Sequence, residues 1–148
     1  MNKDQLNIFL ADDDDDDRLL FCEALDELET DTRVTTFENG VDLMANLIDK
    51  EIALPDMIFL DLNMPLMNGE ECLTDIKQEP ALSDIPIVIY STSLDPHMAE
   101  ILLEKGANRY LQKPKSYTQL KASLERSLET IHQNQSKPSS MKDFIIKV

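Results

Sequence analysis

The chain has 148 residues, of which 29 are acidic and 14 are basic, so its formal net charge at pH 7 is −15. A surface of that sign repels the phosphate backbone of nucleic acids, and direct nucleic-acid binding is not expected. The length suits one domain, and no apolar run approaches the roughly 20 residues of a membrane span. The two cysteines are expected to be free thiols, and together with the absence of a signal peptide this predicts a cytoplasmic protein.

Strand-like apolar runs alternate with segments of helical periodicity along the chain. The first strand, over 6–11, ends in six consecutive aspartates, Asp12 to Asp17, which suit the positive end of the helix that follows over 18–28. Next come a strand over 32–37, a helix over 41–48, a strand over 57–60 and a helix that starts at 70 and stops before Pro80. A strand over 85–90, a helix over 96–104, a strand over 108–112 and a helix as far as 131 complete the series.

Five strands that alternate with five helices predict a parallel sheet with helices on both faces. The predicted domain covers residues 1–133, and residues 134–148 form a C-terminal tail with no separate output domain. This tail could be disordered, or its last apolar run, Phe144 to Ile146, could dock on the domain or on a partner.

Polar side chains follow four of the predicted strands: Asp12 and Asp13, Asp61, Thr92 and Lys113. Because right-handed crossovers point parallel strands the same way, we expect these groups to share one edge of the sheet. Three carboxylates placed together repel one another unless a hard divalent cation such as Mg²⁺ binds between them. An acid nucleophile, a metal, a lysine and a hydroxyl suit phosphoryl transfer onto a carboxylate, with Asp61 as the attacking group.

The chain closely resembles the receiver domain of two-component response regulators. The motifs that carry the resemblance are Asp12-Asp13, Asp61-Leu-Asn-Met-Pro65 with Gly69, Thr92-Ser93 and Lys113-Pro114, in this order and at this spacing. The resemblance covers about residues 5–131. It implies an α/β, flavodoxin-like, doubly wound (βα)5 fold whose five-stranded parallel sheet has the order 2-1-3-4-5.

The resemblance also implies a phosphoacceptor and a metal site. Asp61 would accept a phosphoryl group from a phosphohistidine on a histidine kinase or a histidine phosphotransfer protein. Asp13, Asp61 and the backbone carbonyl of Asn63 would bind Mg²⁺, with Mn²⁺ as a possible substitute, and Asp12 would help through a water molecule.

Three further residues have implied roles in binding the phosphoryl group and in switching. Thr92 and Lys113 would bind the phosphoryl oxygens, and Tyr110 would rotate inward when the threonine is drawn toward the phosphate. The Lys113–Pro114 peptide would be cis. Leu94, two residues after Thr92, is expected to flank the approach of water to the acyl phosphate and to slow its hydrolysis.

The leading interpretation is a phosphoacceptor, a monomer or weak dimer, that is not an enzyme and signals through protein–protein interaction. One alternative is a small-molecule phosphatase with an aspartate nucleophile. Such enzymes typically place a second acid two residues after the nucleophile, where this chain has Asn63. The other alternative is a receiver scaffold that works without phosphate, against which the intact acids, threonine and lysine argue.

Overall fold

The computed structural model describes residues 5–134 and 138–147, with the backbone only over 131–134, and it confirms the predicted alternation. The strands are β1 (Leu6–Ala11), β2 (Thr32–Phe37), β3 (Met57–Leu60), β4 (Ile87–Ser91) and β5 (Arg109–Gln112). The helices are α1 (Asp15–Asp26), α2 (Gly40–Ile48), α3 (Gly69–Gln78), α4 (Pro96–Glu104), α5 (Tyr117–Asn134) and α6 (Met141–Phe144). The parts of the predicted domain and tail at 1–4, 135–137 and 148 lie outside the described residues.

The five strands form one parallel sheet in the order β2-β1-β3-β4-β5. This is the predicted order of a flavodoxin-like fold, and it places β1 and β3 side by side in the middle of the sheet. The residues that follow β1, β3, β4 and β5 therefore meet at one edge. None of the helices within 5–134 and 138–147 is long and apolar enough to cross a membrane.

Apolar side chains cover both faces of the sheet and form two separate layers. One layer joins the sheet to α1 and α5, and it is centred on Phe59, Phe21 and Leu124. The other joins the sheet to α2, α3 and α4. β3 is buried along its whole length, which is why its sequence reads as an uninterrupted apolar run.

The aspartate run begins α1 three residues earlier than the apolar pattern predicts. Asp14 is the N-cap, and its carboxylate accepts a hydrogen bond of 3.0 Å from the backbone N–H of Asp17. Asp15, Asp16 and Asp17 then form an acidic first turn, which the helix dipole stabilises. As a result, Asp17 belongs to a rigid helix.

The C-terminal segment docks on the domain at β5, which is otherwise a free edge of the sheet. Ile145 forms a parallel bridge with Tyr110, and the backbone N–H of Ile146 donates to the Tyr110 carbonyl at 2.9 Å. Phe144 is fully buried, with its ring 6.2 Å from that of Tyr110 in an edge-to-face arrangement. Arg109, also buried, lies 3.8 Å from the carboxylate of Asp143. Of the alternatives for the tail, the structure favours docking on the domain.

We predict that Phe144→Ala releases this segment from β5. The free energy of unfolding should fall by about 1–3 kcal/mol. This is less than the roughly 3–5 kcal/mol of a Phe→Ala change in a central core, because a terminal segment can detach without unfolding the domain. Hydrogen exchange should show faster exchange at the Ile146 amide. The exposed neighbour Lys142 supplies the control, and equal protection of Ile146 in Phe144→Ala and Lys142→Ala would contradict the docked arrangement.

Candidate functional site

The candidate site lies at the edge of the sheet where the strands end, and Asp61 is at its centre. Asp61 follows β3 directly, and its backbone N–H donates to the Ala11 carbonyl at 2.9 Å, which extends the pairing with β1. Only 5% of the residue is exposed. Its carboxylate accepts a hydrogen bond of 3.3 Å from the backbone N–H of Asn63, so the following loop folds back over the acid.

A glycine lets that loop and the start of α3 approach Asp61. The backbone N–H of Gly69 donates to the Leu62 carbonyl at 3.0 Å. A Cβ atom at position 69 would overlap the backbone carbonyl of Asp61. Any larger residue would therefore push α3 away from the acid, which explains the glycine of the motif. At the tip of the loop, Leu66 is 78% exposed and adopts a left-handed φ of 69°.

The predicted acids come together. Asp12, Asp13 and Asp61 each offer one carboxylate oxygen, and these three oxygens lie within 4.8 Å of one another. Asp12 is fully buried and its Oδ2 atom lacks a hydrogen-bond partner, whereas Asp13 is exposed. An all-oxygen donor set with one fully buried member fits a hard cation such as Mg²⁺ or Mn²⁺. The contribution of the Asn63 carbonyl stays a prediction.

Lys113 follows β5 and brings a positive charge to the acids. Its Nζ atom lies 2.7 Å from Asp12 Oδ2, 2.8 Å from Asp17 Oδ2 and 3.6 Å from Asp61 Oδ2. The contact with Asp17 is a hydrogen bond, the contact with Asp12 is an ion pair outside hydrogen-bond geometry, and the distance to Asp61 is longer than a hydrogen bond. Lys113 is thus shared among three carboxylates, as the sequence predicts for Asp12 and Asp61 but not for Asp17.

The predicted cis peptide between Lys113 and Pro114 is wrong, because the described residues contain no cis peptide bond. In the trans backbone the N–H of Lys113 donates to the Ser91 carbonyl at 2.7 Å. The long lysine side chain reaches the acids from there without an additional bend. Trans is also the form that most X–Pro bonds prefer.

Burial and charge shift the protonation of both groups. Burial raises the pKa of the Asp61 carboxyl, Lys113 opposes this shift, and the charge of Asp12 adds to it. The net result is a pKa of about 6. Burial alone would lower the pKa of Lys113, but the contacts with Asp12 and Asp17 outweigh it and raise that pKa. Lys113 is therefore charged at neutral pH, and the charge of Asp61 is costly to maintain without a further cation.

The buried hydroxyl at this edge belongs to Ser91 rather than to the predicted Thr92. Ser91 is the last residue of β4 and is fully buried, whereas Thr92 is exposed and uses its carbonyl to accept a hydrogen bond of 3.0 Å from Gln112. The difference lies in where β4 ends, because Ser91 is its last residue and is buried like the rest of the strand, whereas Thr92 belongs to the loop that follows. Counting the strand from Ile87 would have identified the serine.

Tyr110 already lies in the interior of the protein. Its hydroxyl donates to the Ser93 carbonyl at 2.6 Å, and only 1% of the residue is exposed. Burial raises the pKa of Tyr110, and the Ser91 side chain offsets only part of this shift. Leu94 is half-buried and packs against the apolar layer under α4. With Ser91 as the strand-end hydroxyl, the residue two positions further along is Ser93, and the gating role expected of Leu94 stays a prediction.

Residues 8–125 match the family model described as the response regulator receiver domain. The regulatory protein FilR2 of Methanothrix harundinacea, a probable regulator of methanogenesis, is 30% identical over 130 residues, which are 86% of this chain and 84% of FilR2. NtrC of Salmonella typhimurium, a DNA-binding transcriptional regulator, is 31% identical over 135 residues, or 91% of this chain, but the match spans only 27% of NtrC.

Two solved structures of response regulators match nearly the whole chain. The phosphorylated cyanobacterial phytochrome response regulator RcpA is 30% identical with a TM-score of 0.78, over 92% of this chain and 99% of RcpA. The Mn²⁺-bound response regulator Rcp1 is 28% identical with a TM-score of 0.77, over 91% of this chain and 99% of Rcp1. Both similarities extend beyond the fold to sequence.

We predict that Asp61→Asn stabilises the metal-free protein at neutral pH. The pKa of Asp61 is raised on folding, so its charge costs stability above about pH 6, and this cost disappears below about pH 4, where both states are protonated. The gain should be roughly 1–3 kcal/mol at pH 7.5 and should fall toward zero as the pH drops through 6 to 4. Urea unfolding in a chelator measures it. A pH-independent difference, or a less stable variant at pH 7.5, would contradict the burial argument.

Proposed function

The chain belongs to the response regulator receiver domain family and acts in two-component signal transduction, and from this premise we propose that Asp61 is its phosphoacceptor. The observation that carries the proposal is the placement of Asp61 itself. It is a buried carboxylate at the carboxyl end of a central strand, with Lys113 and two further acids beside it. The partner that supplies the phosphoryl group is a histidine kinase or a histidine phosphotransfer protein.

The transfer is a displacement at phosphorus. A carboxylate oxygen of Asp61 attacks the phosphorus of the phosphohistidine, the O–P bond forms, the N–P bond breaks, and the imidazole leaves and takes up a proton. Asp61 must be ionised for this, and its pKa of about 6 leaves it mainly ionised at neutral pH. Lys113, 3.6 Å from the same carboxylate, can move onto the phosphoryl oxygens and stabilise their charge.

Asp12, Asp13 and Asp61 would hold the Mg²⁺ or Mn²⁺ ion that receiver domains bind at their acidic site. When bound, the ion supplies positive charge that offsets the repulsion among these acids and the phosphoryl oxygens. Asp13 is exposed, so the donor set is open to solvent on that side, whereas the buried Asp12 lies on its protein side. Mg²⁺ usually keeps several waters, which suits such a half-open site.

The structure offers little to the phosphatase alternative. Asn63, at the position where such enzymes have their second acid, is exposed, and its backbone N–H rather than a side-chain acid meets Asp61. An amide side chain is a poor general base. The phosphate-independent scaffold also loses support, because the acids and the lysine converge instead of lying apart.

Incubation with Mg²⁺ and a small phosphodonor tests the proposal. We expect one acid-stable, base-labile phosphoryl group per chain in intact-mass measurements, none in Asp61→Asn, and none when the metal is removed with a chelator. Asp42→Asn, which changes an exposed acid in α2, is the control and should label like the wild type. Persistent labelling of Asp61→Asn would refute Asp61 as the acceptor.

A second prediction separates the two candidate hydroxyls. Because Ser91 is buried at the end of β4 and its side chain influences the pKa of Tyr110, Ser91→Ala should alter the lifetime of the acyl phosphate or the environment of Tyr110. Thr92→Ala, which removes an exposed hydroxyl, should leave both within about twofold of the wild type. Dephosphorylation rates and the Tyr110 ring signals in NMR measure these effects. A larger effect from Thr92→Ala than from Ser91→Ala would instead assign the binding of the phosphoryl oxygens to Thr92.

A further inference from the structure

Asp17 contacts the lysine of the site without being one of the clustered acids. It lies in the first turn of α1, and its Oδ2 accepts a hydrogen bond of 2.8 Å from Lys113 Nζ. The three carboxylates that could hold a metal are Asp12, Asp13 and Asp61, so Asp17 has no place among them. Its carboxylate is nevertheless closer to the ammonium than that of Asp61, which is 3.6 Å away.

Among the aspartates of the first turn, only Asp17 makes this contact. Asp14 caps the helix, and Asp15 pairs with Arg18. Asp16 is exposed, and its side chain makes no hydrogen bond or ion pair with another residue in the described part of the chain. Helix geometry explains the selection, because Asp17 lies on the same side of α1 as the buried Phe21, four residues later, and Asp16 is turned about 100° away from Asp17.

We propose that Asp17 is a positioning residue that holds the ammonium of Lys113 toward α1 and away from Asp61 until the phosphoryl group arrives. The inference rests on the proposed function, since it assigns a role within phosphorylation at Asp61. It adds a residue that competes with the phosphoryl group for the same cation.

The competition follows from the number of donors on the lysine. An ammonium has three N–H groups, and two of its close contacts are with Asp12 at 2.7 Å and Asp17 at 2.8 Å. A phosphoryl group on Asp61 needs one or more of these donors for its own oxygens. Asp12 is fully buried, whereas the Asp17 side chain is 32% exposed. Water can therefore replace Lys113 at Asp17 more easily than at Asp12, and Asp17 is the contact that yields.

Only a short movement separates the ammonium from Asp61. The lysine Nζ lies 3.6 Å from Asp61 Oδ2, so a shift of about 1 Å brings it within hydrogen-bond distance. The same atom lies 5.2 Å from the centre of the Tyr90 ring, which favours a cation on that side. The movement from Asp17 toward Asp61 therefore needs a change in the lysine side chain alone.

Beryllofluoride, which binds an aspartate oxygen as a mimic of the acyl phosphate, tests the competition. Its dissociation constant at saturating Mg²⁺ is measured by ¹⁹F NMR for the wild type, Asp17→Asn and Asp16→Asn. Asp16→Asn makes the same change of charge one residue away and controls for the general electrostatic effect. We expect Asp17→Asn to bind the mimic about threefold to fivefold more tightly than Asp16→Asn does.

A double-mutant cycle shows whether Asp17 acts through the lysine. When each change is combined with Lys113→Ala, Asp17→Asn and Asp16→Asn should bind the mimic equally tightly, because the cation for which Asp17 competes is gone. A merely structural role of Asp17 would persist in that background and would overturn the inference. So would equal affinities of the two single variants, or weaker binding by Asp17→Asn, which would mean that Asp17 directs Lys113 toward Asp61.

The outcomes also separate this inference from the proposed function. If the wild type does not bind the mimic, or if Asp61→Asn binds it equally well, Asp61 is not the acceptor and both proposals fail. If the wild type binds, Asp61→Asn does not, and Asp17→Asn matches Asp16→Asn, the phosphoacceptor assignment stands and only the role of Asp17 is lost.

Discussion

The sharing of one lysine among three carboxylates is the interaction on which the site depends. Lys113 Nζ lies within 3.6 Å of oxygens from Asp12, Asp17 and Asp61. Asp12 follows β1, Asp17 lies in the first turn of α1, and Asp61 follows β3. These acids would repel one another without Lys113. The lysine neutralises only part of their charge, which supports the proposal that the site binds a divalent cation and a phosphoryl group that draws the ammonium toward Asp61.

The parallel sheet makes this arrangement possible. Strand order β2-β1-β3-β4-β5 puts the ends of β1 and β3 next to each other, and Gly69 lets α3 start against the Asp61 backbone. At the far edge, the C-terminal segment pairs with β5 and buries Phe144 against Tyr110. The Tyr110 hydroxyl also donates to the Ser93 carbonyl, so the docked segment and the loop that follows β4 contact the same side chain.

The sequence predicts the fold and the acids well because both produce regular signals. Uninterrupted apolar runs such as Met57–Leu60 indicate buried strands, and an acid at a strand end is easily placed. The sequence predicts Thr92 although the structure buries Ser91, because the end of a strand cannot be located to one residue from an apolar run. The contact between Asp17 and Lys113 could not be predicted, because it joins residues 96 positions apart. The run of six consecutive aspartates also does not indicate which of them faces the lysine. The docking of the tail depends on the free edge of β5, which exists only after the sheet has formed.

The proposed function requires that phosphorylation falls on Asp61, the buried acid that follows β3. Borohydride reduction of the phosphorylated chain, followed by peptide mass spectrometry, tests this directly, because it converts a phosphorylated aspartate into homoserine at its own position. The account predicts homoserine at position 61 alone. Homoserine at position 12 or 13, or at any of the other aspartates with position 61 unchanged, would contradict it.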